Sequence, residues 1–202
     1  MCIRDSTCGF YIDKAGNTHG FIDDNGTFKK VDYPGTTFNQ LLGRNNRSQA
    51  AGYYQDSAGN FHPYIYAEGG GGIFELITIP SAVSAQATGI NQAGQVVGFY
   101  IDSANVNHGW LLDAGLFATL DYPGSTFTQA FGLNNKGQVV GAYTDAGGLT
   151  HGFVYNMGNK TYQSVDDPNG IGSTLVNGIN DKGWLVGFWG TSPVNTGFVA
   201  KP

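Results

Sequence analysis

GINQAGQVVGFYID, residues 89–102, returns as GLNNKGQVVGAYTD at 132–145 and GINDKGWLVGFWGT at 178–191, with a divergent copy, GRNNRSQAAGYYQD, at 43–56. A fifth copy enters partway, as GFYID at 9–13. Measured at the glycine before the aromatic pair, the copies are anchored at Gly9, Gly52, Gly98, Gly141 and Gly187, which lie 43, 46, 43 and 46 residues apart. A period this regular means that one structural unit is repeated.

Each unit continues in the same order. A His-Gly-aromatic step follows at His19-Gly20-Phe21, His108-Gly109-Trp110 and His151-Gly152-Phe153, with degenerate copies at His62-Pro63-Tyr64 and Thr196-Gly197-Phe198. A third stretch ends near a proline, as in FKKVDYPG (28–35), FELITIP (74–80), FATLDYPG (117–124) and YQSVDDP (162–168). The fourth leads into the next Asn-x-x-Gly turn, as in TQAFGLN (128–134). Gly, Asn, Asp and Pro turn signals therefore separate four short β-rich segments per unit.

Four strands in one such period is the arithmetic of a propeller blade. In QVVGFYID (95–102), Val97, Phe99 and Ile101 fall on one face and Val96 and Tyr100 on the other. A strand apolar on both faces needs a layer on each side, which radially packed blades supply. The anchor glycine fits the close approach of a neighbouring backbone. The prediction is an all-β fold, a β-propeller of four-stranded antiparallel blades, with about five blades in view. Residues 7–202 form one repeat domain, with a partial blade at about 8–35, three complete blades at 36–80, 81–123 and 124–168, and a second partial blade at 169–202. With the strands lettered a to d, the chain starts in b and stops after c, and a strand from upstream of Thr7 is the expected partner for the last blade.

Composition narrows the function classes. Glycine makes up 32 of 202 residues, which disfavours long helices. Charged residues are 12% and hydrophobic ones 41%, as in a folded domain without a membrane-inserted segment. Ten scattered basic residues against 15 acidic ones argue against nucleic acid as a partner. The opening MCIRDS (1–6) fits no part of the repeat and back-translates into a sequence resembling a transposase mosaic-end adaptor. It reads as a scar in front of a natural sequence beginning near Thr7, with any signal peptide upstream. Cys2 then belongs to the scar and Cys8 stands alone, without disulfide or zinc spacing.

The pattern GINxxGQVVGxYxDxxGxxHGF resembles the HAF family of bacterial extracellular repeats. The resemblance is sharpest over Gly89–Phe153 and weaker at Gly43–Tyr64, where Arg44, Ser48 and Pro63 depart from it. Glycine follows the histidine where the family usually has alanine. The resemblance implies secretion and a repeat fold, and carries no catalytic residue.

Candidate chemistry starts with the histidines. His19, His62, His108 and His151 each lie six residues after an aspartate, namely Asp13, Asp56, Asp102 and Asp145. Such pairs could serve a metal or acid–base site. A pair that recurs with every unit is more naturally a hairpin device, with Asp capping the turn and His bonding across it. Asp32, Asp121 and Asp166, before the prolines, read as loop caps. Asn45, Asn91, Asn134 and Asn180 sit where amides near the axis could meet sugar hydroxyls or an anion, although the same residues suit Asn-x-x-Gly turns. Asp23-Asp24-Asn25-Gly26 lacks the spacing of a calcium loop, and there is no Walker, GxSxG or HExxH motif.

Residues that break the repeat are the better binding candidates, since the common scaffold does not demand them. They gather in the second unit: Arg44, Arg47, Tyr53, Tyr64, Tyr66, Glu68 and the Gly69–Gly72 run. Arg44, Tyr64 and Tyr66 join the four asparagines as candidate ligand contacts. Trp110, Trp184 and Trp189 read as packing residues. The sequence therefore points to a secreted, non-catalytic binding or scaffold module without cofactor or metal, with a glycan or an extracellular protein as partner. Two rivals are a secreted hydrolase or lyase with its site in the central channel, and a purely structural repeat.

Overall fold

The computed structural model describes residues 6–190 and 195–202. Most of the stretch read as a scar, residues 1–5, lies outside the described residues. The described chain folds into five antiparallel sheets whose strands pair in sequence order. The first sheet holds β1 (Ser6–Ile12), β2 (Thr18–Asp24) and β3 (Thr27–Val31). The second holds β4 (Asn39–Arg44), β5 (Gln49–Gln55), β6 (Phe61–Ala67) and β7 (Ile73–Leu76), and the third β8 (Ala82–Ile90), β9 (Val96–Asp102), β10 (Asn107–Asp113) and β11 (Leu116–Leu120). The fourth holds β12 (Phe127–Leu133), β13 (Gln138–Thr144), β14 (Thr150–Asn156) and β15 (Thr161–Val165), and the fifth β16 (Thr174–Ile179), β17 (Leu185–Trp189) and β18 (Thr196–Ala200). The fold is a β-propeller of five blades, with three strands described in the first and fifth and four in each of the others.

Packing follows from the two-faced strands. Val96 and Tyr100 of β9 enter a core with Ala51 and Ile65 of the second sheet, whereas Val97 enters a core with Ala130, Val139 and Phe153 of the fourth. A third core joins Ile22 and Val31 of the first sheet to Leu41, Ala50 and Tyr64 of the second. Strands β4, β8, β12 and β16 lie next to one another around the axis. Each carries a register shift just before a glycine, Gly43, Gly89, Gly132 or Gly178. A Cβ on Gly43 would fall 2.9 Å from the Cα of Gly89, so glycine here lets the inner strands approach.

The anchor glycines do admit a neighbouring backbone, that of the adjacent strand in their own sheet. Gly98 pairs with Trp110 in its own sheet, and a Cβ on it would lie 2.8 Å from the indole and run into the carbonyl of Gln86. Gly141 stands in the same relation to Phe153. A flat aromatic of the third strand therefore lies over the glycine, and Trp110, Tyr64 and Phe153 are fully buried there. Trp184 corrects the reading of all three tryptophans as packing residues. It occupies the position of Gln49, Gln95 and Gln138 rather than an aromatic position, stands 37% exposed and carries Lys201 over its ring at 4.4 Å.

Candidate functional site

Because the strands alternate in direction, the two ends of the propeller carry different residues. One end holds the Asn-x-x-Gly hairpins, and the other holds the hairpins between the second and third strands together with the loops joining successive sheets.

At the histidine end, each aspartate after the second strand first caps its own turn. Oδ1 of Asp13 accepts the N–H of Ala15 at 2.8 Å and of Asn17 at 2.9 Å, and Asp56 and Asp102 do the same for their turns. Its Oδ2 faces Nε2 of the histidine, at 3.1 Å for Asp13–His19, 2.7 Å for Asp56–His62, 3.4 Å for Asp102–His108 and 3.5 Å for Asp145–His151. The other ring nitrogen meets a second carboxylate: His19 Nδ1 lies 2.7 Å from Asp32, His108 Nδ1 2.8 Å from Asp121 and His151 Nδ1 2.9 Å from Asp166. For His19 the hydrogen bonds to Asp32 and then Asp13 favour the charged ring and raise its pKa above the ordinary 6.5. Each ring also rests on a tyrosine: Tyr54, Tyr100 and Tyr143 stack on His62, His108 and His151 at 4.9 to 5.1 Å.

At the asparagine end, the amides are committed to the framework. Asn91 Oδ1 accepts from the N–H of Ala93 and Gln95, and its Nδ2 donates to Gln95 Oε1 at 2.6 Å and to the carbonyl of Asn134 in the next sheet at 3.1 Å. Asn45 reaches Asn91 O at 3.0 Å, and Asn134 reaches Asn180 O at 3.1 Å. Both lone pairs and both N–H groups of the Asn91 amide are therefore used inside the chain. A second, outer row runs alongside: Asn46 N–H to Gln92, Gln92 N–H to Asn135, and Asn135 to Asp181. Asn91, Gln92, Asn134, Asn135, Asn180 and Asp181 line an open cavity of about 290 Å³ at this end. Sequence reading missed the outer row, since its members differ from unit to unit.

Arg44 is a clamp between sheets. Its guanidinium, 5% exposed, donates to Asp24 of the first sheet at 3.1 Å and to Glu68 at 2.5 Å. Burial works against its charge, and the two carboxylates outweigh that and raise its pKa. Tyr64 is buried in the core between the first two sheets, and Tyr66, 4% exposed, has Lys29 5.2 Å above its ring. Burial pushes the Cys8 thiol up to about 11, which keeps it protonated.

Two clefts open between sheets towards the histidine end. One, of about 350 Å³, lies between the fourth and fifth sheets and is lined by Phe127, Gln129, Thr144, Thr150, Ser173 and Leu175, among others. The other, of about 210 Å³, lies between the second and third sheets beside His62. Among the described residues no helix is long and apolar enough to cross a membrane.

Comparison with solved structures gives a likeness of fold. A triple Arg-to-Ala mutant of AofleA from Arthrobotrys oligospora superposes with a TM-score of 0.58 at 13% identity, covering 96% of this chain and 64% of that one. A chain of a nidogen/laminin complex gives a TM-score of 0.59 at 14% identity, covering 96% of this chain and 73% of that one. The chain thus spans less than two thirds of the length of AofleA. No family model matches the sequence, and no curated protein matches it either.

Proposed function

We propose that the chain is a non-catalytic binding module, secreted by a bacterium and built from HAF-type repeats, that holds a neutral glycan in the cleft between the fourth and fifth sheets. The carrying observation is the composition of that cleft, whose lining brings Phe127 together with the hydroxyl-bearing Thr144, Thr150 and Ser173 and with Gln129, whose amide nitrogen also donates to Asn107 at 2.9 Å. An aromatic face with hydroxyl and amide groups around it suits a sugar ring, whose C–H face stacks and whose hydroxyls exchange hydrogen bonds. The non-catalytic part rests on how the histidines are used. Each repeats the arrangement of its sister sheets with at least one ring nitrogen on a framework aspartate, whereas an active site needs one set of groups poised for substrate.

A glycan-array screen of the chain beside its Phe127→Ala variant tests this. The expected result is a set of neutral glycans retained by the parent and lost by the variant, with unchanged circular dichroism. Retention of the same glycans by Phe127→Ala would move the site elsewhere, and release of new reducing ends from a bound glycan would overturn the non-catalytic reading.

A further inference from the structure

Among the four sheets that carry a histidine, only the second lacks the second carboxylate that His19, His108 and His151 face. Strand pairing places Val31 opposite Gly20, Leu120 opposite Gly109 and Val165 opposite Gly152, so that Asp32, Asp121 and Asp166 follow beside the histidines. In the second sheet the pairing of Tyr64 with Leu76 puts Thr78 at that position. The next residue changes as well. Tyr33 and Tyr122 stack on the tyrosine of the following sheet, Tyr54 at 4.1 Å and Tyr143 at 3.6 Å, whereas Ile79 stands in their place before Tyr100. A third change loosens the loop: Asn39, Thr128 and Thr174 each accept a backbone N–H of the turn, and Ala85 at the matching position has no side-chain acceptor. Together these replacements remove a carboxylate, a ring and a tether from one place, and the cleft of about 210 Å³ lies there, with His62, Thr78, Ile79 and Ala85 among its lining residues.

His62 is still aligned as its sisters are. Its Nε2 lies 2.7 Å from Asp56 and its ring stacks on Tyr54. Nδ1 has no hydrogen-bond partner among the described residues, and the side chain is 40% exposed against 13% for His19. Leu76, Ile77, Ile79 and Val83 supply apolar wall around it. Sites for drug-sized ligands are roughly 300–1,000 Å³, so the occupant is small.

We propose that this cleft binds a small free carboxylate with an apolar body, its carboxylate accepting from His62 Nδ1 where the sister sheets place Asp32, Asp121 and Asp166. With Nε2 facing Asp56 on one side and Nδ1 facing the ligand on the other, the ligand completes the couple already formed in three sheets. The inference concerns a different cleft from the glycan site and stands or falls separately from it.

The test uses benzoate as probe, with benzamide and acetate as controls, followed by calorimetry and by histidine ring resonances in mildly acidic buffer. Benzoate is expected to shift the His62 resonances and leave those of His19, His108 and His151 in place. Benzamide lacks the charge and acetate the apolar body, and each is expected to bind at least about tenfold more weakly, the factor that a difference of one charge-assisted bond or one small apolar group carries. Thr78→Asp restores the sister arrangement and is expected to abolish benzoate binding while the fold is kept, as it is in the three sheets that have this aspartate. Benzamide binding as tightly as benzoate, an unmoved His62, or undiminished binding by a folded Thr78→Asp would each overturn the proposal. Glycan retention in the same preparations reports on the other cleft and is expected to be untouched by Thr78→Asp.

Discussion

His19 shows how a single side chain couples this fold to pH. Its pKa is raised by the hydrogen bonds to Asp32 and Asp13, so its contribution to stability is complete below the unfolded value near 6.5 and is lost as pH rises through the folded one. The aspartates run the other way. Asp13 and Asp56 are lowered chiefly by the bond from the histidine, and Asp102 and Asp145 chiefly by the backbone N–H groups of Val106 and Leu149. Their contribution is present above the unfolded value of 3.8 and lost as pH falls through their folded values. The urea midpoint is therefore expected to be highest between these limits and to fall on both sides, and His19→Gln should flatten the alkaline limb. An alkaline limb equally steep in that variant would show that the couple carries no stability. The spacing of Asp and His made the hairpin half of this couple readable. The second carboxylate was hidden, because Asp32 lies 13 residues further on and meets the ring only once β2 and β3 pair.

At the level of strands and turns, the sequence was legible wherever a unit talks to itself and silent where it talks to its neighbour. Asn-x-x-Gly predicted the hairpin, and the asparagine oxygen does cap it, at 3.0 Å from Lys136 N and Gln138 N in the Asn134 turn. The bond from Asn134 to the carbonyl of Asn180, 46 residues away, has no local signature, and neither do the register shifts that bring Gly43, Gly89 and Gly132 against the next inner strand. The two roles can be separated. Asn180 caps its own turn, at 2.9 and 3.0 Å, but is exposed and, among the described residues, shows no bond from its amide nitrogen to another sheet. Asn134→Ala is expected to lower stability by about 3 kcal/mol, the sum of lost cap and inter-sheet bonds, and Asn180→Ala by about 1 kcal/mol. Chemical denaturation of both variants measures the difference, and equal losses would reduce the asparagine row to four independent turns. Thr78 and Ile79 are legible in the aligned repeats, as ITIP against VDYP, but nothing in that comparison conveys that both losses fall beside one imidazole.

For the molecule as a whole, the first and fifth sheets each have a face unlike those packed between sheets. Tyr11 and Phe28 of the first sheet are 44% and 69% exposed, whereas Tyr100, in the same position as Tyr11, is 8% exposed against the second sheet. Val186 and Val199 of the fifth sheet are 45% and 62% exposed, and their counterparts Val97 and Leu111 are 0% and 8%. Apolar faces of this kind drive association. The chain studied alone is expected to bind an apolar dye and to self-associate with rising concentration, and Phe28→Ser with Val199→Ser should weaken both, as read by fluorescence and analytical ultracentrifugation. A monodisperse chain at all concentrations would mean that these faces are covered in solution. The asparagine row has a direction: at each of the three junctions from the second sheet to the fifth, the amide of one sheet donates forward to the carbonyl of the next, from Asn45 through Asn91 and Asn134 to Asn180. Excising or duplicating one period at equivalent points would always leave a matching donor before a matching acceptor. Gene segments encoding these units can recombine unequally and still produce junctions that fit, so the number of units is free to change over evolutionary time while the joint between them is not.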